Sequence, residues 1–230
     1  MQIYAVVMPA LIAVWHLTQG QAGMLATSAL LVSSLGGWIA GMLADRIGRA
    51  RVLRITIVWF ATFTFLSGLT NSYEQLLITR SLQGLGFGGE WAAGAVLIGE
   101  VINKNVRGRA VGSVQSGWAV GYGAAVLLFT VVFSILPTEQ AWRTLFYIGA
   151  VPAVAVLWFC RNLEEPELFR KSQVAARKKE SSLLAIFRPP LLRTTFVASL
   201  LATGVLGGYG TYASGTQIPR AYLRHKSFES

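Results

Sequence analysis

The chain is built from apolar runs too long for a soluble core. GYGAAVLLFTVVFSIL at 121–136 is one of them, and blocks of this kind recur at approximately 2–16, 24–44, 52–70, 75–100, 109–136, 142–160 and 192–213. About 20 apolar residues wound as an α-helix cross the ~30 Å hydrocarbon core of a bilayer. Lipid offers no hydrogen bonds, so a spanning backbone must satisfy its own, as a helix or as a closed barrel. These blocks are uniformly apolar rather than alternating, which predicts helices and an all-α integral membrane protein. Composition agrees: 53% of the residues are hydrophobic and 13% charged, against about a quarter charged in soluble domains. The first block starts at Met1 and is short for a span, yet it lacks the basic start and small-residue cleavage site of a signal peptide.

Charge orients the helices. The connections after the second, fourth and sixth blocks hold Arg46, Arg49, Arg51 and Arg54, then Lys104, Arg107 and Arg109, then the basic stretch from Arg161 to Arg188 with Arg193. The opposite connections contain Arg143 as their single basic residue. By the positive-inside rule the basic side faces the cytoplasm. A net charge of +10 would otherwise point to nucleic acid, but split among membrane-flanking loops it reports topology, and no nucleic-acid partner is expected. Cys160 stands alone, which excludes a disulfide framework and a paired-thiol metal site. No phosphate loop, nucleophile elbow or His/Cys cluster is present, so no enzyme, metal or cofactor is expected. His16 reads as an outer-end residue.

GMLADRIGRARVLR at 41–54 sits between two apolar blocks and forms G-x3-D-R-x-G-R from Gly41, Asp45, Arg46, Gly48 and Arg49. Glycines there permit a tight reversal and close helix approach. The aspartate can hold a helix N-terminus or an arginine, and the arginines can reach carboxylates on adjacent helix ends. The string resembles the signature loop of the major facilitator superfamily, with Ala50 where a second basic residue is usual and Arg51 following. Glu100, Arg107 and Gly108 give E-x6-R-G, similar to sugar-porter relatives, and Glu165, Pro166 and Glu167 resemble the proline-and-glutamate motif of the same group. The resemblance implies a cytoplasmic charge lattice of Asp45, Arg46, Arg49, Glu100, Arg107 and Glu165 that closes the inner side. It also implies a six-helix half-bundle over 1–160, a basic cytoplasmic linker over 161–191, and the first helix of a second bundle with a polar tail over 192–230. Relatives use two such halves around a midplane site, so the missing second half is expected to be needed for transport.

The fourth block carries the costly chemistry. RSLQGLGFGGEWAAG at 80–94 places Arg80 and Glu90 inside an apolar run, where ionisable groups are expensive and usually functional. Arg80, Gly84, Phe87, Gly88 and Trp91 fall on one helical face, and Gln83 and Glu90 on an adjoining one. Arg80 and Glu90 lie ten residues apart, about 15 Å along the axis, too far to pair. The R-x3-G-x-G-x-G pattern and GFGGEW look most like the branch of proton-coupled symporters for sialic acid and aromatic acids. That likeness implies a small organic anion bound with the help of Arg80 and a proton exchanged at Glu90, whose ionised form meets a large desolvation cost. Gln115, Trp118 and Tyr122 share a stripe on the fifth block, and Tyr209 and Tyr212 lie in the seventh, where relatives often contact substrate. Gly117 and Gly121 read as close-packing positions. A sugar or polyol carrier and a non-transporting membrane fragment are the alternatives. The expected location is a bacterial inner membrane.

The orientation has a direct check. With Cys160 replaced, a single cysteine at Asn71 should react with an impermeant thiol reagent in intact cells, and one at Asn105 should not. Labelling of position 105 from outside inverts the topology.

Overall fold

The computed structural model describes residues 2–102, 105–160, 191–197 and 200–201. Six helices follow one another: α1 Gln2–Trp15, α2 Gln19–Ile47, α3 Arg49–Gly68, α4 Tyr73–Val101, α5 Arg107–Ile135 and α6 Thr138–Cys160. Four of them, α2, α3, α5 from Gly108 and α6, are long and apolar enough to cross a membrane. The chain divides into compact units 1–175 and 176–230. In the second unit residues 191–197 and 200–201 are helical. The rest of the expected seventh helix and the 161–190 stretch of the linker, with Glu165, Tyr209 and Tyr212, lie outside the described residues.

The helices overrun the apolar blocks because polar caps extend them. Thr18 opens α2 with a capping box: its Oγ1 accepts from Gln21 N at 3.2 Å and its own N–H donates to Gln21 Oε1 at 2.9 Å. Ser72 caps α4 the same way, accepting from Gln75 N at 3.3 Å. Within the spans the hydroxyls turn back on their own helix: Thr62, Thr64 and Ser67 each donate to the carbonyl four residues earlier, which hides a polar group from lipid.

The glycine-rich string is not the loop its composition predicts. Gly41, Asp45 and Arg46 lie within α2, and Arg49 already begins α3. Gly48 alone separates them, at φ 108° and ψ 149°, a conformation essentially restricted to glycine. Gly41 makes no close approach either; a Cβ there would meet nothing within 4 Å.

Tight packing concentrates where α4 crosses α2. A Cβ on Gly84 would strike the Ala29 carbonyl, one on Gly88 the Ser33 carbonyl, and one on Gly36 the Leu85 carbonyl. The two backbones are therefore in van der Waals contact, as small residues allow between membrane helices. Trp59 of α3 adds a bond from its indole N–H to Leu82 O at 2.8 Å. The outer half of the bundle holds a large-residue core with Leu11, Leu25, Leu76, Trp142 and Phe146 fully buried. Ala40, Ala44, Val52 and Ala93 form a smaller cluster towards the inner end. Gly117 and Gly121 correct the sequence expectation: α5 is exposed over 111–124, and a Cβ at either glycine would meet nothing within 4 Å.

Substitution separates the two kinds of glycine. Gly84→Leu or Gly88→Leu should leave little folded protein, and Gly84→Ala should cost about 1–3 kcal/mol or more through overpacking. Gly117→Ala should hold or slightly raise the thermal midpoint in detergent, since alanine is the better helix former. Equal midpoints for Gly84→Ala and Gly117→Ala would contradict the packing.

Candidate functional site: two ionisable groups on the fourth helix

Because Gly84 and Gly88 face α2, the residues one turn earlier point into the bundle. Arg80 and Gln83 are both 1% exposed. The Arg80 guanidinium lies over the Tyr4 ring of α1, 4.0 Å from its centroid, a cation–π contact made stronger by dehydration. Its Nη1 donates to Gln83 Oε1. Gln83 Nε2 donates in turn to Thr64 Oγ1 of α3, and Thr64 Oγ1 donates to Phe60 O at 2.7 Å. Tyr4, 6% exposed, donates its hydroxyl to Ala22 O of α2 at 3.3 Å. One polar chain thus joins α1, α2, α3 and α4. Arg80 is no outer-end side chain reaching for water.

Glu90 occupies a different place. It is half-buried and lines a cleft of about 290 Å³ with Trp91 of α4, Gln115 and Trp118 of α5 and Leu53 of α3. The walls are apolar and aromatic; Glu90 and Gln115 supply the polar groups. Tyr122 stacks on Trp118 with ring centroids 6.2 Å apart and planes 10° from parallel. The structure therefore brings Glu90, Gln115, Trp118 and Tyr122 to one side and puts Arg80 and Gln83 in a separate enclosed network. The expected single face of Arg80, Gly84, Phe87, Gly88 and Trp91 divides the same way. Its glycines meet α2, Phe87 leans towards Phe60 of α3 at 6.3 Å, and Trp91 is exposed.

Of the expected lattice, the described residues hold one ion pair, Arg49 Nη2 to Asp45 Oδ1 at 3.4 Å, across the Gly48 break. Asp45 is 70% exposed, and such a pair contributes about 0–1 kcal/mol. Arg46 is exposed at the end of α2. The side chains of Glu100 and Arg107, at the facing ends of α4 and α5, lie outside the described residues.

Three residues escaped the sequence reading. Tyr4 and Thr64 look like ordinary members of apolar helices until the fold sets them beside α4. Arg143 reads as an exception to the charge asymmetry, and the structure explains it. It donates to Gly68 O at 3.1 Å, Thr70 O at 2.5 Å and Asn71 Oδ1 at 3.0 Å, placing a cation at the C-terminal end of α3 and the turn that follows it. Its guanidinium also lies 4.3 Å from the Trp142 ring centroid.

Known proteins resemble this chain in sequence and fold. The probable 4-methylmuconolactone transporter of Cupriavidus pinatubonensis is 45% identical over 208 residues, which cover 90% of this chain and 48% of that protein. The cis,cis-muconate transport protein of Acinetobacter baylyi is 31% identical over 214 residues, 91% of this chain and 50% of that protein. The chain spans about half the length of these curated relatives. Among solved structures, the proton:xylose symporter XylE of E. coli superposes with a TM-score of 0.65 at 19% identity, covering 81% of this chain and 45% of that one. Residues 1–225 match the family description of the Major Facilitator Superfamily. With the signature string at the α2–α3 junction, the packed half-bundle and this match over nearly its whole length, the chain belongs to the major facilitator superfamily.

Proposed function

We propose that the chain forms the N-terminal half of a secondary transporter in a bacterial inner membrane that carries a small organic acid, with Arg80 recognising the anion and Glu90 coupling transport to protons. The observation that carries the reading is Arg80, the one charged side chain that is buried among the described residues. Burying a guanidinium costs several kcal/mol, and stability alone gives no reason to keep it there. A ring and a neutral amide contact it, and a carboxylate makes stronger, bidentate bonds to the same fork. Relatives named for muconolactone and muconate transport support an organic-acid cargo. Glu90 supports proton exchange because it opens on a cleft, whereas Arg80 is enclosed. The two halves of such a protein rock around a central site, and the Asp45–Arg49 pair at the inner end is weak enough to break and re-form in each cycle.

Uptake into membrane vesicles bearing the transport-competent protein tests the assignment. Arg80→Lys keeps the charge but loses the fork, so KM for cis,cis-muconate should rise at least tenfold, about 1.4 kcal/mol. Glu90→Gln should weaken accumulation driven by a proton gradient while sparing substrate exchange. Normal accumulation by Glu90→Gln across a pH series would make Glu90 structural, and a preference for sugars over carboxylates would overturn the organic-acid reading.

The junction is tested separately. Asp45→Asn should lower the maximal rate with little change in KM, since it lies far from Arg80 along the bundle. A shifted substrate preference would contradict a role in the conformational cycle.

A further inference from the structure

We propose that the exposed face of α3 binds one anionic phospholipid, with its phosphate on Arg54 and an acyl chain lying along the groove beyond. The site shares no residue with the Arg80 network or the Glu90 cleft, so it stands or falls independently of the proposed cargo. A groove of about 520 Å³ runs along α3, lined by Arg54, Ile55, Val58, Trp59, Thr62 and Phe63. Thr56, Ile57, Thr64 and Ser67 are buried and turn the other side of the helix into the bundle.

The two ends of the groove differ chemically. Arg54 Nε donates to Ala50 O at 3.2 Å, one turn earlier, which draws the guanidinium towards the end of the helix where Arg46, Arg49 and Arg51 gather. Its Nη atoms meet no acceptor among the described residues. Beyond it the wall is complementary to hydrocarbon. The Trp59 indole N–H donates inward to Leu82 O, and the Thr62 hydroxyl donates to Val58 O, both at 2.8 Å. The Trp59 and Phe63 rings, 4.9 Å apart, form the far part of the wall. From Arg54 to Phe63 the helix rises about 14 Å, close to the roughly 15 Å that one leaflet contributes to the hydrocarbon core.

Bulk lipid tails cover any apolar helix face and need neither a groove nor a cation. A cation at one end and a leaflet-deep apolar channel beyond it fit a molecule that is anionic at one end and apolar for the rest. Arginine holds a phosphate through two parallel charge-assisted bonds, and anionic headgroups gather at basic segments beside a span. A second copy fits less well: across a twofold axis along the membrane normal, two Arg54 cations would face each other at one depth. Close helix contact also favours small residues, whereas two aromatic rings stand here.

Native mass spectrometry of the full chain in detergent, with dioleoyl phosphatidylglycerol or dioleoyl phosphatidylcholine added, reads the first lipid bound, and thermal midpoints verify folding. The unaltered chain should hold one phosphatidylglycerol at least fivefold more tightly than phosphatidylcholine. Arg54→Gln should erase that preference, and Arg54→Lys should keep most of it, since an ammonium also binds phosphate. Val58→Trp fills the groove while keeping Arg54, and should weaken phosphatidylglycerol at least fivefold. Equal retention of the two lipids by the unaltered chain, or an undiminished preference in Arg54→Gln, overturns the proposal. Phosphatidylglycerol binding that Val58→Trp leaves unchanged, or that glycerol 3-phosphate matches, reduces the site to an anion contact without a chain groove and also overturns it. A dimer in place of the lipid-bound monomer makes a second copy the occupant and overturns it as well. Should Arg54→Gln fail to fold, Val58→Trp, altered at an exposed position, decides alone.

Discussion

The backbone contact between α2 and α4 sets the geometry of everything else. Gly36, Gly84 and Gly88 leave no room for a Cβ, so α4 can adopt only one rotation against α2. With that rotation set, Arg80, one turn before Gly84, points towards the α1–α2 side where Tyr4 stands. Gln83 turns towards α3 and Thr64, and Glu90 emerges at the cleft beside α5. Glycine in a helix ordinarily weakens it by about 1 kcal/mol. Here that loss is offset by dispersion contacts that no larger residue could make.

The two ends of the bundle are held differently. At the outer end Trp142 is fully buried and meets Trp15 edge-on at 5.4 Å, while Arg143 and Tyr147 both bond to the Gly68 carbonyl. At the inner end small residues pack against one another, a single glycine reverses the chain, and the ion pair across the break is solvated. Buried apolar contact and enclosed hydrogen bonds resist opening, whereas solvated polar contacts exchange freely with water.

Arg80 and Glu90 show how one helix carries two ionisable groups in different surroundings. Both sit in α4, about 15 Å apart along its axis, and the fold gives them opposite surroundings. The guanidinium is enclosed by a ring and an amide; the carboxyl faces a cleft lined by two tryptophans and a glutamine. Distance keeps them from neutralising each other.

The all-helical membrane character and the family were legible in the sequence because each rests on local chemistry. Apolar length reports the bilayer, and the spacing of Gly41, Asp45, Arg46, Gly48 and Arg49 carries the family likeness. The same rules placed Arg80 and Glu90 as the costly groups and excluded their direct pairing, since rise per residue is a property of one helix. Which neighbours they meet was not legible. Tyr4 and Thr64 lie 76 and 16 residues before Arg80, and nothing in their own segments marks them. Gly41, Gly117 and Gly121 are indistinguishable in sequence from Gly84 and Gly88, yet only the last two meet a neighbouring backbone. Local sequence determined which segments leave water. Rotation and contact between helices are set by many small packing terms across the whole bundle, so only the tertiary structure decided which glycine packs, which arginine is buried and what it touches.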